Sequence, residues 1–101
     1  MIYCFDLDGT LCHQREDGEY QHAKPMMDRI EHVNALHDAG HEIIIATARG
    51  AETGIDWLHE TAQQLQRWGL RYDRLEVGDK PFAHAYVDDR AVHCDDFFGG
   101  D

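Results

Sequence analysis

Apolar residues fall in short blocks along the chain, and the period inside each block predicts what it forms. Ile2 to Leu7 is a mostly apolar run that stops at Gly9, which predicts a buried strand. Cys12 to His22 is polar and contains Gly18, so it reads as a flap or hairpin over the surface. Pro25 stands where the first turn of a helix tolerates proline. Met26, Ile30, Val33 and Leu36 then follow at spacings of three and four, and Gly40 closes that helix. His41 to Ala48 holds the most continuous apolar run, Glu-Ile-Ile-Ile-Ala, and predicts a central parallel strand. Ile55, Leu58, Ala62, Leu65 and Trp68 mark a second helix that ends at Gly69 and takes in Trp57. Trp68 continues its apolar stripe and belongs to the core. Tyr72 to Val77 predicts a third strand, followed by a short helix. Ala85 to Val87 predicts a fourth strand that runs into Asp88.

Strands alternating with helices predict an open α/β fold with parallel strands. At 101 residues, with no linker, repeat or low-complexity stretch, the expectation is one domain over 1–101 with a modest core. Twenty acidic residues against nine Lys and Arg give a net charge of −11, which opposes binding to nucleic acid or an anionic membrane. Three cysteines (Cys4, Cys12, Cys94) without a C-x-x-C spacing argue against a disulfide scaffold and suit a reducing compartment. With no basic leader and no apolar run of about 20 residues, the expectation is a soluble cytoplasmic protein.

In open α/β folds the ligand site lies beyond the carboxyl ends of the strands. The chemistry-bearing residues fall there. The first strand ends in Asp6-Leu7-Asp8-Gly9-Thr10, where a period of two sets Asp6 and Asp8 on one side. The second ends in Thr47-Ala48-Arg49-Gly50, Lys80 precedes Pro81, and the last strand ends in Asp88-Asp89. Four carboxylates at one edge repel unless a cation intervenes. Oxygen donors without His or Cys favour a hard ion, most simply Mg²⁺. A metal, a lysine and a hydroxyl together suit a phosphoryl group, whose charge must be neutralised in transfer.

Asp6-Leu7-Asp8-Gly9-Thr10-Leu11, Thr47, Lys80 and Asp88-Asp89 resemble, in order and spacing, the four motifs of the haloacid dehalogenase superfamily. Within it, Ile43 to Gly50, Trp68 to Leu70, Lys80 to Ala83 and Tyr86 to Ala91 look most like the small capsule-biosynthesis phosphatase type. The resemblance implies a Rossmann-like three-layer α/β/α sandwich with a mainly parallel sheet. It implies Asp6 as nucleophile, forming an aspartyl-phosphate, and Asp8 as general acid and then base. Thr47 would bond the transferring phosphoryl group and Lys80 would steady nucleophile and phosphate. Asp6, Asp8 (also through its carbonyl), Asp88 and Asp89 would hold Mg²⁺. Thr10, Ala48 and Arg49, next to these motifs, are the candidate substrate contacts. Asp79 departs from the pattern, standing where glycine would directly precede the lysine. Cys12 to His22 is long enough for a flap but not for a cap domain. The site is therefore expected to be open, unless a neighbouring copy in a homo-oligomer covers it.

Other readings fit less well. A calcium loop needs glycine sixth and glutamate twelfth, whereas Gly9 is fourth and Asp17 twelfth. The eight histidines show no His-x-x-x-His pair on one helix face, which leaves them as surface residues. The expected function is Mg²⁺-dependent hydrolysis of a small phosphomonoester, such as a sugar phosphate of surface-polysaccharide synthesis. A polynucleotide end phosphatase lacks a basic stripe here. A phospho-acceptor signalling module would carry its acceptor aspartate after a middle strand, where this chain has Thr47.

Overall fold

The computed structural model describes residues 1–50, 54–78, 85–88 and 92–98. Its strands are β1 (Ile2–Asp6), β2 (Glu42–Thr47), β3 (Arg74–Val77), β4 (Ala85–Asp88) and β5 (Val92–His93). They form one sheet in the order β3-β2-β1-β4-β5, and every pairing is parallel. The helices are α1 (Met27–Asp38), α2 (Leu58–Arg67) and the single turn α3 (Cys94–Phe97). This is the expected parallel α/β architecture. The order reverses between β1 and β4, and the crevice at such a reversal is where open α/β sheets bind ligands.

The central strands are buried on both faces because their apolar residues do not alternate with polar ones. Phe5, Ile43 and Ile45 face one side and pack with Ile30 and Val33 of α1, Leu65 of α2, and Leu7, Leu11 and Leu70. Cys4 and Ile44 face the other, with Ile2 and Ala46 against them. The register, Cys4 beside Ile44 and Phe5 beside Ile45, keeps each set on its own face. Trp68 is partly buried against the larger core, as its place on the apolar stripe predicts.

Two expectations are corrected. Pro25 is not in the first turn of α1. The chain there pairs with the segment after β1, through His13 N–H to the Lys24 carbonyl (2.9 Å) and Met26 N–H to the Leu11 carbonyl (2.9 Å). The helix begins only once those bonds are made. The stripe expected on the second helix is also displaced. Ile55 and Trp57 precede α2, Trp68 follows it, Ile55 and Leu58 are exposed, and the helix buries Thr61, Gln64 and Leu65. The polar pair turns inward because an arginine from the β2 turn lies beneath it.

β5 and α3 have no periodic signal in the sequence. They bring Phe97 and Phe98 onto the core, with the Phe97 ring 5.4 Å from Phe5 and nearly perpendicular to it. The short helix expected before β4 lies outside the described residues.

Candidate active site

Asp6 is the last residue of β1, and the backbone folds tightly just after it. The Leu7 carbonyl accepts the N–H groups of Thr10 (3.1 Å), Leu11 (2.9 Å) and Cys12 (3.2 Å), while Gly9 N–H donates to the Cys12 carbonyl (2.8 Å). Gly9 closes this loop at φ +83°, a conformation that costs a side-chain-bearing residue energy. Leu7 is fully buried, so the residues on either side of it, Asp6 and Asp8, both reach the cleft above the sheet.

Thr47 ends β2 and lines the same cleft, its Oγ1 accepting the Arg49 N–H at 3.3 Å. On the other side of β1, the parallel pairing reaches Phe5 with Val87, so the backbone of Asp88 stands one residue further, at the edge that carries Asp6. Lys80 and Asp89 lie outside the described residues.

Among the described residues, Arg49 is the best-connected side chain of the site. It is buried, and its Nε and Nη2 donate to the two carboxylate oxygens of Asp8 at 2.8 and 2.7 Å. Nη1 donates to Gln64 Oε1 (2.8 Å) and Thr61 Oγ1 (3.3 Å), and the guanidinium lies 4.8 Å over the Tyr20 ring. A planar fork on a carboxylate is a strong, oriented pair, and a buried one is weakly screened by salt. The expected direct contact of Arg49 with substrate is thus set beside a different placement: its donors face Asp8 and α2. Periodicity could not identify Thr61 and Gln64 as partners, because polar residues on a helix normally face water.

Beside this pair, the Cys12 thiol lies 3.4 Å from Asp8 Oδ1 and 3.6 Å from the Leu7 carbonyl. Burial, and then the neighbouring Asp8 charge, push its pKa up to about 12, so it remains a protonated donor. Thr10 is buried and does not line the cleft; its carbonyl accepts Arg29 Nη1 at 3.0 Å. Arg29 is itself buried, bonds Asp95 at 2.6 Å and lies 5.1 Å from the Phe98 ring, tying the motif loop to α3. Ala48 lines the cleft.

The cleft has a volume of about 590 Å³, with Asp6, Asp8, Thr47 and Ala48 beside Gln14, Arg15 and Tyr20 of the flap and Ile55 and Trp57 before α2. Among the described lining residues the acidic edge supplies carboxylate and carbonyl oxygens and no imidazole, a donor chemistry that fits a hard divalent ion. Among the described residues, no three acidic, His or Cys side chains are gathered to hold a metal. The described part of the expected set is the pair Asp6 and Asp8, with the Asp88 backbone next to them. Between β1 and α1 there is room only for the flap, and no cap domain occurs among the described residues.

A parallel sheet with paired aspartates at the tip of its first strand defines a class, and comparison with known proteins agrees. Residues 3–67 match the family model described as haloacid dehalogenase-like hydrolase, and the chain belongs to that family. It is similar to a crystallised target protein from Vibrio cholerae, with a TM-score of 0.75 and 32% identity over 98% of this chain and 89% of that one. Two more distant likenesses are of fold alone. A chain of the Pnkp1/Rnl/Hen1 RNA repair complex gives a TM-score of 0.64 at 18% identity, covering 95% of this chain and 38% of that one. A chain of another Pnkp1/Rnl/Hen1 complex structure gives 0.60 at 19% identity, covering 78% and 28%. No curated protein matches the chain. No helix among the described residues is long and apolar enough to cross a membrane.

Proposed function

We propose that this haloacid dehalogenase-like hydrolase is a phosphomonoesterase acting on a small phosphorylated metabolite. The observation that carries the reading is the meeting of Asp6, Asp8 and Thr47 in one cleft at the carboxyl edge of the sheet, with Asp8 oriented by the Arg49 fork. A carboxylate oxygen of Asp6 attacks phosphorus, the ester oxygen leaves with its electron pair, and an aspartyl-phosphate forms. Asp8 gives the leaving oxygen its proton. Water then attacks the aspartyl-phosphate, Asp8 takes back a proton, and inorganic phosphate departs with Asp6 restored. Asp8 Oδ1 takes both Arg49 Nη2 and the Cys12 thiol, while Oδ2 takes Arg49 Nε, so the transferred proton is carried on the second lone pair of Oδ2.

In this reading Thr47 donates its hydroxyl to a phosphoryl oxygen, and Lys80 supplies fixed positive charge. Mg²⁺, held by Asp6, the Asp8 carbonyl and Asp88, with Asp89 alongside, would neutralise phosphoryl charge when bound. A capsule or surface-polysaccharide precursor is the metabolite class we favour, from the resemblance of the motifs.

The test is a panel of phosphomonoesters with Mg²⁺ and purified protein, reading released phosphate. Turnover of at least one member is expected, and Asp6→Asn should reduce it below detection. Full activity in that variant would remove Asp6 as nucleophile. Preferential removal of a 3′-phosphate from an oligonucleotide would move the substrate to polynucleotide ends. Stoichiometric labelling by acetyl phosphate without turnover would replace the enzyme by a phospho-acceptor module.

A further inference from the structure

The wall facing the carboxylates is made by two segments that no catalytic motif includes. From the flap come Gln14, Arg15 and Tyr20; from the turn before α2 come Ile55 and Trp57. Both are fixed in place. The Tyr20 carbonyl accepts Gln64 Nε2 at 2.8 Å, its ring lies under the Arg49 guanidinium, and Trp57 meets that ring edge-on at 5.1 Å. Gly50 admits the second segment: a Cβ there would stand 2.0 Å from the Ile55 carbonyl and 2.9 Å from Trp57 Cδ1. The wall is thus aromatic, partly exposed to the cleft and anchored to the side chain that orients Asp8.

Its charge is as telling as its shape. The described lining holds two cations, and each already has a carboxylate partner. Arg49 forks onto Asp8, while Arg15 pairs with Asp17 through Nε (3.0 Å) and Nη2 and reaches the His22 carbonyl through Nη1. Arg15 beside it holds the Asp17 carboxyl well below the usual carboxylate range. A second phosphate on a substrate would meet no uncommitted cation among the described lining residues. Nor do the rings form a parallel slot for a base, since Tyr20 and Trp57 stand at 90° and one face of Tyr20 carries Arg49.

We propose that Trp57, with Ile55 and Tyr20, seats an uncharged, polyhydroxylated leaving group the size of a monosaccharide, and that the Arg15–Asp17 pair excludes substrates with a second anionic group. This rests on the phosphomonoesterase reading and adds the residues that set its specificity. The C–H faces of a sugar ring pack on aromatic and aliphatic side chains. Gln14 and the flap backbone offer donors and acceptors to hydroxyls, and the cleft volume falls in the range that encloses a small metabolite.

The experiment compares kcat/KM for a hexose monophosphate, a hexose bisphosphate and acetyl phosphate. The wild type should prefer the hexose monophosphate to the bisphosphate by roughly tenfold or more. Asp17→Asn, which releases Arg15, should cut that preference by roughly tenfold. Trp57→Ala should lower the ratio of hexose monophosphate to acetyl phosphate by roughly tenfold, and Trp57→Phe should recover most of it. Should Trp57→Ala fail to fold, Trp57→Phe and the exposed-flap variant Asp17→Asn still carry the test. Equal use of mono- and bisphosphate by the wild type, or ratios unmoved by the variants, overturns the proposal while leaving the phosphatase reading intact. Hydrolysis of none of the three would sink the phosphatase reading, and this proposal with it.

Discussion

Arg49 joins three parts of the molecule through one side chain: the tip of β1 at Asp8, the buried side of α2 at Thr61 and Gln64, and the flap at Tyr20. Its guanidinium is almost fully buried and the Asp8 side chain is 15% exposed, so the pair is shielded from solvent. Removing one member of such a pair leaves an uncompensated charge, which costs more than the pair itself contributes. Arg49→Met, similar in length but uncharged, should therefore lower stability by about 3 kcal/mol or more. Arg49→Lys should fall between, since an ammonium restores the charge but not the fork. Urea denaturation of the two variants checks the order. Equal midpoints for Met and wild type would show that Asp8 finds other partners. That Asp6, Asp8 and Thr47 would meet at one cleft was legible because each is polar at the end of an apolar run. The inward turn of Arg49 was not, because the burial of its partners Thr61 and Gln64 is decided by a residue 12 to 15 positions away.

Among the elements, β1 and β2 were read to within a residue or two because long apolar runs with no alternation leave little choice but a buried parallel strand. α2 shows where periodicity fails. Ile55 and Leu58 fit a helical stripe, yet they are exposed, and Ile55 serves as cleft wall instead. β5, two residues long, carries too few positions for any period. The turn between β2 and α2 depends on Gly50. Its φ of +80° disfavours any Cβ, and an added methyl would meet the Ile55 carbonyl at 2.0 Å, a backbone atom that cannot step aside. Gly50→Ala should cost about 2–4 kcal/mol through strain and overpacking. It should also displace Trp57, shifting the tryptophan emission of the folded state. A variant with wild-type stability and spectrum would mean that the turn accommodates a methyl by another route.

For the molecule as a whole, the net charge of −11 is unevenly compensated. Arg15, Arg29, Arg49, Arg71 and Arg74 each pair with a carboxylate, so much of the positive charge is already committed locally. What remains is an acidic surface, and at the sheet edge the cluster expected to take Mg²⁺. These two parts respond differently to salt. Surface repulsion is screened by any ion, over a Debye length of about 10 Å at 0.1 M. A site that binds a divalent ion only when folded adds stability by mass action, about 2.7 kcal/mol at a hundredfold excess over Kd. For a chain of this size that corresponds to a rise in Tm of roughly 10–20 °C. At matched ionic strength, MgCl₂ should therefore raise Tm above the value in NaCl. Asp88→Asn should remove most of that excess while leaving the NaCl response unchanged, because the general surface charge is barely altered. If Mg²⁺ and Na⁺ act alike on the wild type, the acidic edge does not hold a metal. If the excess survives in Asp88→Asn, Asp88 leaves the ligand set and Asp6 with the Asp8 carbonyl must find their third oxygen elsewhere.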